Sequence, residues 1–289
     1  MYRIENYSFQ TAWEELQRTP LERHLTARLW RQCLSINSEF CDAVVKSGLL
    51  TWEQMLHAAC RYCLGATRRR GVIFWQIDRE GCVHDGKVMY YREDCHRDKA
   101  RHPTWVSTLL GRRYRWADAE RMTTRHCWFG CHLLETWTPS DSPSTPSDSP
   151  CLGGEEGGEE AVAVAVVESE KTAFVMSELF PQRLWLATGG LGNVQTDQFR
   201  PLRGRRVTLF PDTDTDGTTF RQWYEAAQRA MEQPFWEGSP PIRVSPLLEL
   251  HATPEQREQK IDLLDFLAPS VRQGMEAPNA PDGGSKRGE

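Results

Sequence analysis

AVAVAVVESEKTAFVMSEL (161–179) is the stretch on which the fold turns. Its first seven residues are a continuous apolar run, as expected of a parallel strand buried on both faces. Ser169 then caps a helix in which Thr172, Val175, Met176 and Leu179 form one apolar stripe. Further on, LWLA (184–187) reads as a second strand ending in the turn Thr188-Gly189-Gly190, and VTLF (207–210) as a third ending at Pro211-Asp212. A helix from about Thr218 presents Phe220, Trp223, Ala227 and Ala230, and IRV (242–244) is a fourth strand. Thr253, Pro254 and Gln256 make a helix start, with Leu263, Leu264 and Leu267 as the apolar side of that helix. Strands alternating with helices at this spacing predict an α/β unit, a mostly parallel sheet flanked by helices.

Upstream the texture differs. Residues 10–64 carry helical periodicity, with Leu56, Ala59, Cys60, Cys63 and Leu64 on one stripe and Gly65 as the stop. VIFWQID and VHDGKVMYY, on either side of Arg79-Glu80-Gly81, predict a β-hairpin. TWVSTLLGRRYRW, past Pro103, reads equally as helix or loop. The duplicated TPSDSPS/TPSDSP and the Gly/Glu run after it lack the apolar surface to offset their ordering entropy. The expected organisation is therefore a helical region at 1–66, an α+β hairpin subdomain at 67–137, a disordered acidic linker at 138–160, the α/β domain at 161–269 and a frayed tail at 270–289.

The chain has 289 residues and a net charge of −5, which hides an asymmetry. Residues 61–137 hold 15 Lys or Arg against nine Asp or Glu, so this stretch suits a polyanionic partner. A run of 18 apolar residues is missing, so no membrane span is expected. The start lacks a basic region followed by an apolar stretch, and the nine cysteines are irregularly spaced. Both features predict reduced thiols in a cytoplasm.

The carboxyl ends of parallel strands form the ligand crevice of such a sheet. Glu168 closes the first strand, and Asp212, Asp214 and Asp216 leave the third as PDTDTDG. Acids converging on one rim repel one another, and a hard divalent cation, Mg²⁺ or Mn²⁺, relieves that repulsion. Gly189, Gly190 and Gly217 let backbone approach a phosphate closely. The competing reading of 212–217 is a polar turn that caps the next helix. A calcium loop counted from Asp212 fails because its twelfth place is Trp223. Asp214 to Thr218 also fits a phosphatase D-x-D-G-T signature, but too little chain remains for that family's later motifs. Zinc is not expected: Cys60-x-x-Cys63 lies on the apolar stripe, and His126, Cys127, Cys131 and His132 do not form two tight pairs. Aromatics at 74, 75, 90, 91, 105, 114 and 116 are read as core in preference to base-stacking platforms.

Taken together, AVVESEKTA, ATGGLG and VTLFPDTDTDG resemble the Toprim domain of bacterial primases, topoisomerases and related nucleases. The resemblance matches Glu168, Asp212 and Asp214 to the metal-site acids and Gly217 to the trailing glycine; Asp216 is an extra acid and Ser169 stands where many members have glycine. GVIFWQIDREGCVHDGKVMYY is similar to the hairpin of the primase amino-terminal subdomain, with Lys87 at a basic template-binding position. Arg68, Arg69, Arg70, Arg97, Lys99, Arg101, Arg112 and Arg113 are assigned to the same nucleic-acid surface. WFGCHLL (128–134) has a comparable place in primases, and 55–267 as a whole resembles an uncharacterised bacterial primase-like family associated with mobile elements. What this implies is two-metal nucleotidyl transfer on single-stranded DNA or RNA with nucleoside triphosphates, alongside replication or mobilisation proteins. Strand cleavage by the same acids and a catalytically silent scaffold are the alternatives. The chain departs from replicative primases in having no zinc-ribbon spacing in 1–50 and in the segment after the third motif.

Overall fold

The computed structural model describes residues 31, 33–109, 126–136 and 163–268. The linker at 138–160, the tail at 270–289, residues 1–30 and 32, and Arg112, Arg113, Tyr114 and Trp116 lie outside the described residues. The architecture is mixed α/β with two four-stranded sheets. Among the described residues, no helix is long and apolar enough to cross a membrane.

Two helices come first, α1 (Glu39–Lys46) and α2 (Trp52–Arg61). Thr51 and Gln54 form a reciprocal capping box that starts α2, satisfying two backbone donors at once. The helix ends at Arg61, so Cys63 and Leu64 belong to the turn after it. Cys60 is exposed, and the face of α2 that packs inward is Met55, Ala58 and Ala59. The cysteine stripe expected from the sequence is thus displaced, because the helix stops before Cys63 can complete it.

The antiparallel sheet has the order β1 (Gly65–Ala66), β2 (Val72–Ile77), β3 (Val83–Met89), β4 (Thr104–Trp105). The β2–β3 hairpin turns at Asp78–Gly81, where Gly81 takes φ +82° and the Asp78 carboxylate accepts from the Cys82 N–H at 2.8 Å. Phe74, Trp75 and Tyr91 are buried, in keeping with the core reading of these aromatics. The ambiguous segment after Pro103 divides between β4 and a helical stretch at 106–109.

The parallel sheet has the order β6 (Leu184–Ala187), β5 (Ala163–Val167), β7 (Arg206–Phe210), β8 (Arg243–Val244). Every pairing in it is parallel, and β5 lies next to β7 with Val167 opposite Phe210. Glu168 and Pro211-Asp212 therefore leave adjoining strands at the same end. The exposed side of β6 is covered by Phe129, which exchanges two backbone hydrogen bonds with Ala187 (2.8 and 3.1 Å) and so blunts that edge.

Helix α3 (Glu170–Leu179) is buried from Glu170 through Glu178, not along a single stripe. It is enclosed because it packs on β6 and β5 and also against α2. Its charges are met by partners far away in sequence: Glu178 accepts from His57 Nδ1 at 2.9 Å and lies 3.7 Å from Arg61. An aromatic cluster joins the two sheets. Phe40 lies 5.3 Å from Phe74 and 5.2 Å from Phe174, and Tyr62 stacks on Phe129 at 4.8 Å while donating to the Trp185 carbonyl at 2.7 Å. After β7 come α4 (Thr218–Met231), with Trp223, Ala226, Ala227 and Ala230 buried, then the short α5 (Leu247–His251) and α6 (Pro254–Gln259). Thr253 and Gln256 build a second capping box at α6.

Candidate functional site: a cleft lined by acidic and basic residues

A cleft of about 780 Å³ opens where the tips of the parallel strands meet the antiparallel sheet. Its acidic floor is made of Glu168, Glu170, Asp212 and Asp262, and the same lining holds Arg92, Arg97 and Lys99. Gly189 and Gly190, after β6, and Lys87, from β3, complete the lining used below.

The floor is electrostatically loaded. Asp212 Oδ1 is buried and has no hydrogen-bond partner. Burial, then the neighbouring Asp262 and Glu168 carboxylates, push Asp212 well above the ordinary carboxylate range, with Lys171 offsetting part of the effect. Burial also raises Glu168; the Leu191 backbone N–H and Lys87 draw it back, while Glu170 and Asp262 push it further up. A buried carboxylate oxygen without a donor, beside like charges, is a poor arrangement for a closed structural site and suits one that accepts a cation.

Asp262 was not singled out in the sequence, where it lies 50 residues from Asp212. The backbone brings it there: Thr213 N–H donates to the Ile261 carbonyl at 3.1 Å, laying the segment after α6 beside the exit of β7. Thr172 Oγ1 donates to Asp262 at 2.6 Å, and Lys171 Nζ lies 3.5 Å from Asp262 and 3.4 Å from Asp265. Lys171 is thus a buried counter-ion set among the acids, a second feature the local sequence does not announce.

The third-strand acids divide. Asp212 enters the cleft, but Asp214 turns to the start of α4, where it accepts from Thr218 N–H (2.9 Å), Thr219 N–H (2.8 Å) and Thr219 Oγ1 (2.6 Å). Burial pushes its pKa up, but the Thr219 hydroxyl and the backbone donors outweigh that and hold it below the usual value. Asp216 is exposed and accepts from Thr218 N–H at 3.3 Å. Gly217, at φ +68°, occupies the position before α4. The sequence groups Asp214 and Asp216 with Asp212 as cation ligands; in the structure both accept from the free N–H groups at the start of α4, while Asp212 lines the cleft. Among the described residues no group of three His, Cys, Asp or Glu side chains is arranged to hold a metal by itself. Two carboxylates with water or phosphate oxygens are the kind of set Mg²⁺ accepts. Glu168 and Asp212 supply such a pair.

Asp214→Ala is therefore expected to destabilise the chain by about 0.5–2 kcal/mol through loss of the cap, which denaturation midpoints check.

The basic residues also divide. Lys87, Arg97 and Lys99 line the cleft. Arg68 and Arg69 are exposed away from its lining, Arg70 pairs with Asp42, and Arg101 pairs with Glu39 at 2.5 Å and Asp98 at 2.6 Å. The histidine and cysteine residues considered for zinc have other settings: His132 Nε2 donates to the Arg61 carbonyl at 3.1 Å, and burial pushes the Cys131 thiol up to about 12.

A family model described as a domain of unknown function (DUF6371) matches residues 38–145 and 137–213. The chain belongs to this family. The DUF6371 match takes in Lys87, Glu168, Gly189 and Asp212, and it ends before Asp214 and Asp262. No curated protein and no solved structure matches the chain.

Proposed function

We propose that the chain is a primase-like protein of the Toprim type. In this reading it acts on nucleic acid by Mg²⁺-dependent nucleotidyl transfer during replication or mobilisation of DNA. The observation that carries the reading is the donor-free, buried oxygen of Asp212 beside Glu168 at the tips of adjoining parallel strands. The basic residues of the same lining, Arg92, Arg97 and Lys99, support a polyanionic substrate.

Glu168 and Asp212 hold the divalent ion, and Asp262 and Lys171 set the charge around them. A cation bound there supplies charge neutralisation for the attacking hydroxyl and for the departing pyrophosphate. Arg97 and Lys99 hold phosphates of a single-stranded template or of a nucleoside triphosphate. No side-chain nucleophile is required, since the attacking group is a hydroxyl of the growing strand.

The test is a labelled single-stranded oligonucleotide incubated with ribonucleotides and Mg²⁺. Extension that disappears in Glu168→Gln supports the proposal, and shortening of the strand points instead to a nuclease. A second reading, a nucleic-acid-binding scaffold without turnover, is favoured by the commitment of Asp214 to the α4 cap. Its signature is binding that weakens with salt and ignores Mg²⁺, with no product formed.

A further inference from the structure

We infer that the Lys87 ammonium occupies the place of a second metal ion, so that the cleft is built for a single divalent cation. The inference rests on the metal-dependent reading above and deepens it.

Lys87 sits on β3, opposite Phe74, and reaches out of the antiparallel sheet to the tip of the parallel one. Its Nζ donates to Glu170 Oε2 at 3.0 Å and to the Gly189 carbonyl at 2.7 Å. A carboxylate oxygen and a carbonyl oxygen are ligands a hard cation would take, and here an ammonium has taken them. The side chain is only 14% exposed, so the contact is not a loose surface pair. The nest is shaped for this: Gly189 holds φ +77°, and a Cβ there would lie 2.8 Å from Glu170 Oε1.

Charge balance points the same way. Lys87 and Lys171 already stand among the acids Glu168, Glu170, Asp212 and Asp262, so less negative charge is left for a second divalent ion to offset. Asp214 is engaged at the start of α4 and does not line the cleft. Lys87 is thus a positioning residue: it fixes Glu170 and the turn after β6 while keeping the ion between Glu168 and Asp212.

The test counts Mn²⁺ bound to the full chain by electron paramagnetic resonance, with circular dichroism to verify folding. The wild-type chain is expected to bind one ion. Lys87→Met is expected to bind its first ion about tenfold more tightly, since a positive neighbour is gone, and to admit a second. Lys87→Arg is expected to bind one. Should Lys87→Met fail to fold, Lys87→Gln, neutral but still able to donate to Glu170, replaces it. Two ions on the wild-type chain, or unchanged number and affinity in a folded neutral variant, would overturn the inference and leave the metal reading standing. No bound ion at all would defeat that reading and the inference with it.

Discussion

On the proposed reading, Asp212→Asn is expected to eliminate Mn²⁺ binding, to lower Mg²⁺-dependent turnover by roughly a thousandfold, and yet to make the metal-free chain more stable at neutral pH. The first two effects follow from losing one of two ligands. The third follows from electrostatics, because Asp212 Oδ1 is buried without a donor and the carboxylate is repelled by Asp262 and Glu168. Its folded pKa stands well above the unfolded value of about 3.9. A group shifted that way favours folding fully below the unfolded pKa, and the benefit is lost as pH rises through the folded pKa. The metal-free chain should therefore melt at progressively lower temperature as pH climbs from about 4 toward the raised pKa of Asp212. Added Mn²⁺ should restore the loss at neutral pH. Asparagine cannot ionise, so the variant's profile should be flatter, with a residual slope in the same direction from Glu168. Thermal melts in chelator across this range, repeated with Mn²⁺, check the account. A variant with the wild-type slope would contradict it.

The second large effect concerns the core. Phe174→Ala should destabilise the chain by about 3–5 kcal/mol, a large part of the roughly 5–15 kcal/mol that ordinarily holds a domain folded. Phe174 is fully buried on α3 and meets Phe40 at 5.2 Å and Tyr62 at 6.1 Å, so its ring ties the parallel sheet's helix to the amino-terminal helices. Truncation leaves a cavity at that junction, which the rigid aromatic neighbours cannot close. Urea denaturation followed by tryptophan fluorescence measures the loss, and a value under about 1 kcal/mol would mean that the two parts do not depend on this contact.

The parts of the fold that could be read from sequence are those specified locally. LWLA, VTLF and the helix beginning at Thr218 stand where periodicity placed them, as do the Arg79–Gly81 turn and the capping box at Thr253. Each signal lies within a few residues of its own effect. What escaped is non-local. Helix α3 looked amphipathic, but Glu170, Lys171 and Glu178 are buried because Lys87, Asp262 and His57 come to meet them from other elements.

The candidate site shows the same division. Glu168 and Asp212 were legible because a strand end marks the crevice whatever surrounds it. Asp214 was ambiguous in principle: the same D-x-D-G-T letters describe a metal ligand and an N-terminal cap, and only the direction of the carboxylate separates them. Asp262 and Lys171 carried no signal at all, since their role depends on the Thr213–Ile261 backbone contact. The sequence marks Lys87 as a nucleic-acid contact but carries no sign of its bonds to Glu170 and the Gly189 carbonyl, which lie outside its own sheet.

The central claim is that Glu168 and Asp212, on adjoining strand tips, jointly hold one divalent cation. Anomalous diffraction from crystals soaked in Mn²⁺ tests it most directly. The account predicts a single peak in contact with both carboxylates and away from Asp214. A peak centred on Asp214 and Asp216, or crystals that take up no Mn²⁺ in the cleft, would contradict it.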